Sequence, residues 1–131
     1  MALPTFDTDA LEGRGHEFAV MEEGGMTCVL LPRFSLPPGG FTVDKSDLLL
    51  RLNPGYPDVP PDMWWFDPPV QRADSVPIAA TDHYEDFMGR RWQRWSRHLN
   101  PDQWRPGIDS IESFVAIINR ELSSNMSVAT A

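Results

Sequence analysis

The stretch Tyr56-Pro57-Asp58-Val59-Pro60-Pro61 has the pattern Y-P-x-x-x-P and lies between two apolar runs, residues 48–52 and 63–66. Proline fixes φ and has no N–H to donate to a neighbouring strand. The residue before a proline is also pushed towards extended backbone. The stretch therefore predicts a rigid bend between two strands of one sheet.

The segments on either side of this bend predict the rest of the architecture. Val, Leu and aromatic residues, closed by Gly- and Pro-containing turns, predict four strands at residues 17–21, 26–35, 46–53 and 62–67. Residues 7–13 could form one or two helical turns. Between residues 71 and 100 the periodicity weakens, which predicts a long loop with one short helix near residues 84–88. Four successive strands closed by turns predict an antiparallel meander.

The last element is a helix over residues 109–122. Asp109 is the predicted N-cap, with Glu112 as its capping-box partner. The following residues recur at helical spacing and form one apolar stripe, which predicts a helix packed on the sheet: Ile111, Phe114, Val115, Ile118 and Leu122. The fold class is therefore α+β. Residues 1–122 form a single domain, and residues 123–131 are a polar tail.

Composition excludes several functions. A chain of 131 residues fits one domain, and its formal net charge of −8 argues against nucleic-acid binding. Apolar runs are too short for a membrane span, and the N-terminus lacks the features of a signal peptide, so we expect a cytoplasmic protein. The single cysteine excludes an internal disulfide and a cysteine-based zinc site. Metal-ligand spacing is also missing from the acidic residues 81–86, and we expect no cofactor or metal.

Two segments carry a resemblance to a known superfamily. The Y-P-x-x-x-P bend resembles the signature loop of ubiquitin-conjugating enzymes, and Gln103-Trp104-Arg105-Pro106-Gly107 is similar to their Trp-Pro segment before a helix. The run at residues 92–98 looks closest to the bacterial branch, prokaryotic conjugating-enzyme family E. The resemblance implies a ubiquitin-conjugating-like fold with a long active-site-type loop. The resemblance also implies that the following residues form the structural motifs of this fold: Tyr56, Pro57, Pro61, Trp104 and Pro106.

The resemblance also implies partners, and it makes one departure important. Family E implies company with an activating enzyme, a ubiquitin-like or multi-ubiquitin-like protein, and a JAB-type metallopeptidase. Standard members carry a histidine-proline-asparagine triplet and a thioester-forming cysteine. This chain has no such triplet, and Trp92 stands where the cysteine is expected. An indole cannot form a thioester.

No other residue is an obvious nucleophile. Cys28 lies inside a predicted strand with no neighbouring base or cation, so a buried hydrophobe is the favoured reading. His98 could bind a modifier's tail or act as a general base, or could tie the long loop to the sheet. Ser96 could form an oxyester only with a base in the right geometry. The catalytic residues are therefore unknown, with His98 and Ser96 as candidates.

Tryptophans and arginines alternate between residues 90 and 104. They could anchor the loop in the core, dock a protein, or bind nucleic acid, and the acidic net charge ranks these readings in that order. The docking partner would be a flexible acidic or carboxylate-ended tail, which arginine recognises well. The predicted partner-binding residues are Trp92, Arg94, Trp95, Arg97 and His98.

Three hypotheses for function follow. The first is a non-catalytic conjugating-enzyme-like protein that binds a ubiquitin-like modifier or its activating enzyme. The second is a divergent transferase with a displaced nucleophile. The third is a plain interaction domain of the related RWD type. A long ordered loop across the sheet at residues 71–100 would favour the first two, and a short connection to a long helix would favour the third.

Overall fold

The computed structural model describes residues 3–127 and has an α+β architecture, which confirms the predicted fold class. Residues 128–131, at the end of the predicted tail, lie outside this range. The elements in chain order are α1 Thr5–Gly13, β1 Ala19–Glu23, β2 Met26–Ser35, β3 Lys45–Leu52, β4 Trp64–Asp67, β5 His83–Phe87, β6 Arg90–Trp95, a 3-10 turn Pro101–Gln103, and α2 Ile111–Asn125.

The strands form one antiparallel sheet with the order β1-β2-β3-β4-β6-β5. The first four strands follow one another as a meander. The predicted number of four strands is wrong, because β5 and β6 add a hairpin within residues 71–100. The helix predicted near residues 84–88 is also wrong, since β5 occupies that segment. Met88 and Gly89 form the turn of this hairpin. Both have positive φ (54° and 73°), which is the geometry of a two-residue type I′ turn.

The sheet curls so that its two ends approach each other. The Met88 backbone N–H, in the β5–β6 turn, donates to Oε2 of Glu23 at the end of β1. Arg51 of β3 donates from Nη2 to the backbone oxygen of Glu23 and lies 3.9 Å above the ring of Phe87. The β5–β6 hairpin is therefore held to the opposite end of the sheet by contacts between side chains and backbone.

Helix α2 packs its predicted stripe against one face of the sheet. All five stripe residues are buried, in the same cluster as Leu48, Trp64 and Phe66 of the sheet. The predicted cap is wrong by one residue: the N-cap is Ser110, whose N–H donates to Ser113 Oγ at 2.7 Å. The helix ends at Asn125, beyond the predicted end, while the division into domain and tail stays a prediction.

A second, smaller cluster lies on the sheet's other face and consists of Cys28, Leu49, Trp65 and Trp92. These four side chains are between 0% and 4% exposed. Antiparallel partners point to one face, and Leu49 is the register partner of Trp65. The curled sheet thus encloses apolar side chains on both faces. Among residues 3–127, no helix is long and apolar enough to cross a membrane.

Candidate functional site

The proline-rich bend and the Trp-Pro segment meet in the structure. The Trp104 indole N–H donates to the backbone oxygen of Pro57 at 2.8 Å, and the rings of Tyr56 and Trp104 lie 6.1 Å apart. Tyr56, Pro61 and Trp104 are buried, whereas Pro106 is exposed. One structural unit therefore includes two motifs that are far apart in sequence.

Asp7 of α1 completes this unit, although no motif in the sequence points to it. Its carboxylate is fully buried and accepts hydrogen bonds from the Tyr56 hydroxyl at 2.7 Å and from the Ile111 backbone N–H at 2.9 Å. The second bond satisfies a free donor at the N-terminus of α2, where a negative charge is also favourable. No local sequence signal reveals a contact between residues 104 positions apart.

Burial changes the ionisation of both side chains. It raises the pKa of Asp7 above its ordinary value, and the hydrogen bonds from Tyr56 and Ile111 only partly oppose this. Burial is also the largest cause that raises the pKa of Tyr56. The hydrogen bond to Asp7 and the negative charge of that carboxylate raise it further. The Tyr56 hydroxyl therefore remains a proton donor to Asp7 throughout the neutral range.

The position expected for the thioester cysteine lies inside the protein. Trp92 belongs to β6, is 0% exposed, and donates its indole N–H to the Phe87 oxygen at 3.1 Å. The guanidinium of Arg90 lies 4.4 Å from the centre of its ring. Cys28, the only cysteine of the chain, is also 0% exposed, as predicted. The native fold therefore presents no thiol at its surface.

His98 forms a surface pair with Asp62. Nδ1 of His98 lies 2.7 Å from Oδ1 of Asp62, and both side chains are more than half exposed. The adjacent residues join the same two segments, because the Met63 N–H donates to the Arg97 oxygen at 3.1 Å. A carboxylate on one ring nitrogen orients an imidazole and leaves the other nitrogen available to a substrate or partner.

Ser96 is not assembled with this pair. Its hydroxyl accepts a hydrogen bond from Arg94 Nε at 2.9 Å. Between Ser96 and His98, the described part of the chain shows no side-chain hydrogen bond. A serine nucleophile needs a base that accepts its hydroxyl proton, and Arg94 is a hydrogen-bond donor to Ser96. The two catalytic candidates are close in sequence but do not form a working dyad in this structure.

The other predicted partner-binding residues are largely engaged within the fold. Trp95, like Trp92, is 0% exposed. Arg94 Nη1 pairs with Glu85 at 3.0 Å, and Arg97 Nε pairs with Glu121 at 2.6 Å. Arg97 also donates to the Ala79 oxygen and so ties the loop before β5 to α2. Their role in partner binding stays a prediction; the contacts seen are those of the loop-anchoring alternative.

Comparison with known proteins identifies the family. The sequence model of prokaryotic E2 family E matches residues 3–125. The chain belongs to prokaryotic E2 family E. No curated protein and no solved structure matches it. The match confirms the resemblance first seen in the bend, and it spans every helix and strand described above.

In this member of prokaryotic E2 family E, the two motif segments form one connected unit, and the single cysteine is buried. The bend, the Trp104 contact and α2 are joined by direct hydrogen bonds through Asp7 and Tyr56. Within residues 3–127, no group of three or more His, Cys, Asp or Glu side chains is placed to hold a metal ion. The candidate His98 is paired with Asp62 at the surface.

Proposed function

We propose that this prokaryotic E2-like protein is a non-catalytic component of a ubiquitin-like conjugation system. It binds the ubiquitin-like or multi-ubiquitin-like modifier, or its activating enzyme, without forming a thioester. The observation that carries the proposal is the burial of Trp92 at the cysteine position, together with the burial of the only thiol, Cys28. Thioester transfer requires an accessible thiolate, and neither residue supplies one.

The retained scaffold supports a docking role. Asp7, Tyr56 and Trp104 hold α1, the bend and α2 in a fixed arrangement through three hydrogen bonds between 2.7 and 2.9 Å. A surface that keeps its geometry loses less conformational entropy when a partner binds. We also propose a JAB-type metallopeptidase of the same system as a partner of this protein. The proposed location of the protein is the cytoplasm.

The proposal is tested by mixing the protein with an activating enzyme and a ubiquitin-like protein from the same organism, plus ATP. Intact-mass analysis and denaturing gels, with and without reductant, report any covalent product, and a sizing column reports association. We expect co-elution and no adduct. Cys28→Ala is the matched control and should behave like the natural protein. A modifier bond on this chain that survives denaturation would refute the non-catalytic role.

The His98–Asp62 pair favours one second candidate, a transferase with a displaced nucleophile. Its oriented imidazole could act as a general base for a hydroxyl supplied by Ser96 after a rearrangement, or by a target protein. Under this alternative, His98→Ala abolishes covalent transfer and leaves co-elution intact. Under the main proposal there is no transfer to abolish. The RWD-type alternative loses support, because residues 71–100 contain a sheet hairpin and no long helix.

A further inference from the structure

Strand β5 has a free edge. It is the last strand in the sheet order and pairs only with β6 among the described elements. The two-residue turn closes on the pair Phe87–Arg90, which is therefore a hydrogen-bonded pair, and such pairs alternate along an antiparallel ladder. Tyr84 and Asp86 consequently direct their backbone N–H and C=O groups away from β6. An edge of this kind can accept an additional strand.

A cavity lies beside this edge. Its volume is about 380 Å³, and its apolar walls come from the loop between β4 and β5: Val70, Val76, Pro77 and Ile78. Tyr84 of β5 forms part of the lining, so the cavity is adjacent to the free edge of β5. Val76 is 49% exposed at its rim. A side chain opposite Tyr84 on an added strand would lie next to this apolar space.

The charge around the cavity is negative. Tyr84 and Asp86 lie two residues apart in β5, so their side chains share one face, and Asp82, just before the strand, lines the cavity together with Tyr84. Both aspartates are exposed, and neither forms an ion pair within residues 3–127, although Arg91 is the register partner of Asp86. Arg91 stacks on Tyr84 at 4.8 Å, and Glu85 is paired with Arg94. One uncompensated negative charge therefore remains at the edge, on a chain whose net charge is −8.

We propose that the β5 edge docks an extended segment of a partner protein by strand addition. The segment carries a basic, an apolar and a basic residue at alternate positions. The apolar side chain enters the cavity beside Tyr84, and the basic side chains face Asp82 and Asp86. The inference rests on the proposed function in one respect, that the segment belongs to the protein partner of the conjugation system.

Two other occupants fit less well. An acidic tail would meet Asp82 and Asp86, while Arg94 and Arg97 are already paired with Glu85 and Glu121. Arg91, the register partner of Asp86, is then the one arginine at this edge without an ion pair among residues 3–127, and it offsets only one of the two aspartates. A second copy of this chain would place the same aspartates of both molecules along one ladder. Like charges across paired strands are destabilising. Charge thus favours a basic segment over an acidic tail and over self-pairing.

The test uses a synthetic peptide, acetylated and amidated, with the core Arg-Thr-Leu-Thr-Arg, added to the full-length protein. Binding is followed by fluorescence anisotropy and residue-resolved amide exchange. We expect the amides of Tyr84 and Asp86 to exchange at least about tenfold more slowly at saturation, because they gain partners. The Glu85 amide, already bonded to β6, should change little. No binding, or protection confined to other segments, would overturn the inference.

Matched controls separate strand addition from simple charge attraction. A peptide N-methylated at the alternate amides that face β5 should not bind, and one methylated at the other amides should bind normally. Asp82→Asn and Asp86→Asn should each weaken binding about two- to fivefold, the range expected for an exposed charge pair. A peptide with glutamate in place of both arginines should not bind; equal binding of that peptide would refute the charge argument.

The peptide experiment and the co-elution experiment test the docking edge and the proposed function separately. If the modifier co-elutes with the protein but the peptide leaves the β5 amides unprotected, the docking edge is wrong and the proposed function stands. If the peptide binds at β5 but neither modifier nor activating enzyme co-elutes, the edge is real and its partner lies outside the proposed system.

Discussion

Replacing Asp7 tests the interaction that joins α1, the bend and α2. Asp7→Ala leaves two buried donors, the Tyr56 hydroxyl and the Ile111 N–H, without their acceptor. Each unsatisfied buried donor costs about 1–3 kcal/mol, so the free energy of unfolding should fall by about 2–6 kcal/mol. That is a large fraction of the stability of a typical domain, about 5–15 kcal/mol.

Asp7→Asn separates the hydrogen bonds from the charge. An asparagine amide can accept from Ile111 and donate to the Tyr56 oxygen, so both contacts can persist without an ionisable group. The native pKa of Asp7 is raised above the ordinary value of 3.8. Between 3.8 and the raised value the folded state binds more protons than the unfolded state, so stability falls as pH rises. The natural protein should therefore lose stability relative to Asp7→Asn as pH rises through this window.

The assay is urea unfolding followed by fluorescence of the five tryptophans, repeated across the acidic range to neutrality. Asp9→Asn, on the exposed side of the same helix, is the matched control and should leave the pH dependence of the natural protein unchanged. Parallel pH profiles for the natural protein and Asp7→Asn would refute the reasoning. So would a relative gain of stability by the natural protein on raising the pH, since that requires a lowered pKa.

Three further predictions concern other parts of the structure. Cys28 should not react with a thiol reagent in the native protein and should react fully in urea, as absorbance of the released thiolate reports; fast native labelling would contradict its burial. Trp104→Phe removes the hydrogen bond to the Pro57 oxygen and should lower the free energy of unfolding, measured by urea titration, by about 0.5–1.5 kcal/mol. An unchanged free energy of unfolding would show that this bond does not form in solution. Arg97→Ala should speed amide exchange at residues 79–81, because the tether to Ala79 is lost, and unchanged exchange there would show that the loop is held otherwise.

The parts of the fold that the sequence predicts are those with local signals. The stripe of α2 has strict helical spacing, and the first four strands are separated by glycine and proline, so both could be read from short windows. The α2 cap was misplaced because Asp109 and Ser110 are equally good capping residues. Choosing between them depends on Ser113 and Asp7, which bond to Ser110 and Ile111.

There is a physical reason why the hairpin and the candidate site could not be predicted from the sequence. The type I′ turn places Met88 at positive φ, a conformation usually taken by glycine, asparagine or aspartate. Nothing in Phe87-Met88-Gly89-Arg90 announces that turn, so the segment reads as irregular. The pairing of His98 with Asp62 and the contact of Asp7 with Ile111 join residues distant in sequence. Only the folded protein brings these residues together.

The position at which the resemblance places a thioester cysteine differs in its surroundings as well as in its side chain. Trp92 is packed with Cys28, Leu49 and Trp65 inside a cluster that the curled sheet and the β5–β6 hairpin enclose. A cysteine restored at that position would lie in the same enclosed space, shielded from a modifier and from an activating enzyme. Burial in apolar surroundings also disfavours the thiolate. The enclosure of this position therefore supports the proposed docking role over the alternative of thioester transfer at residue 92.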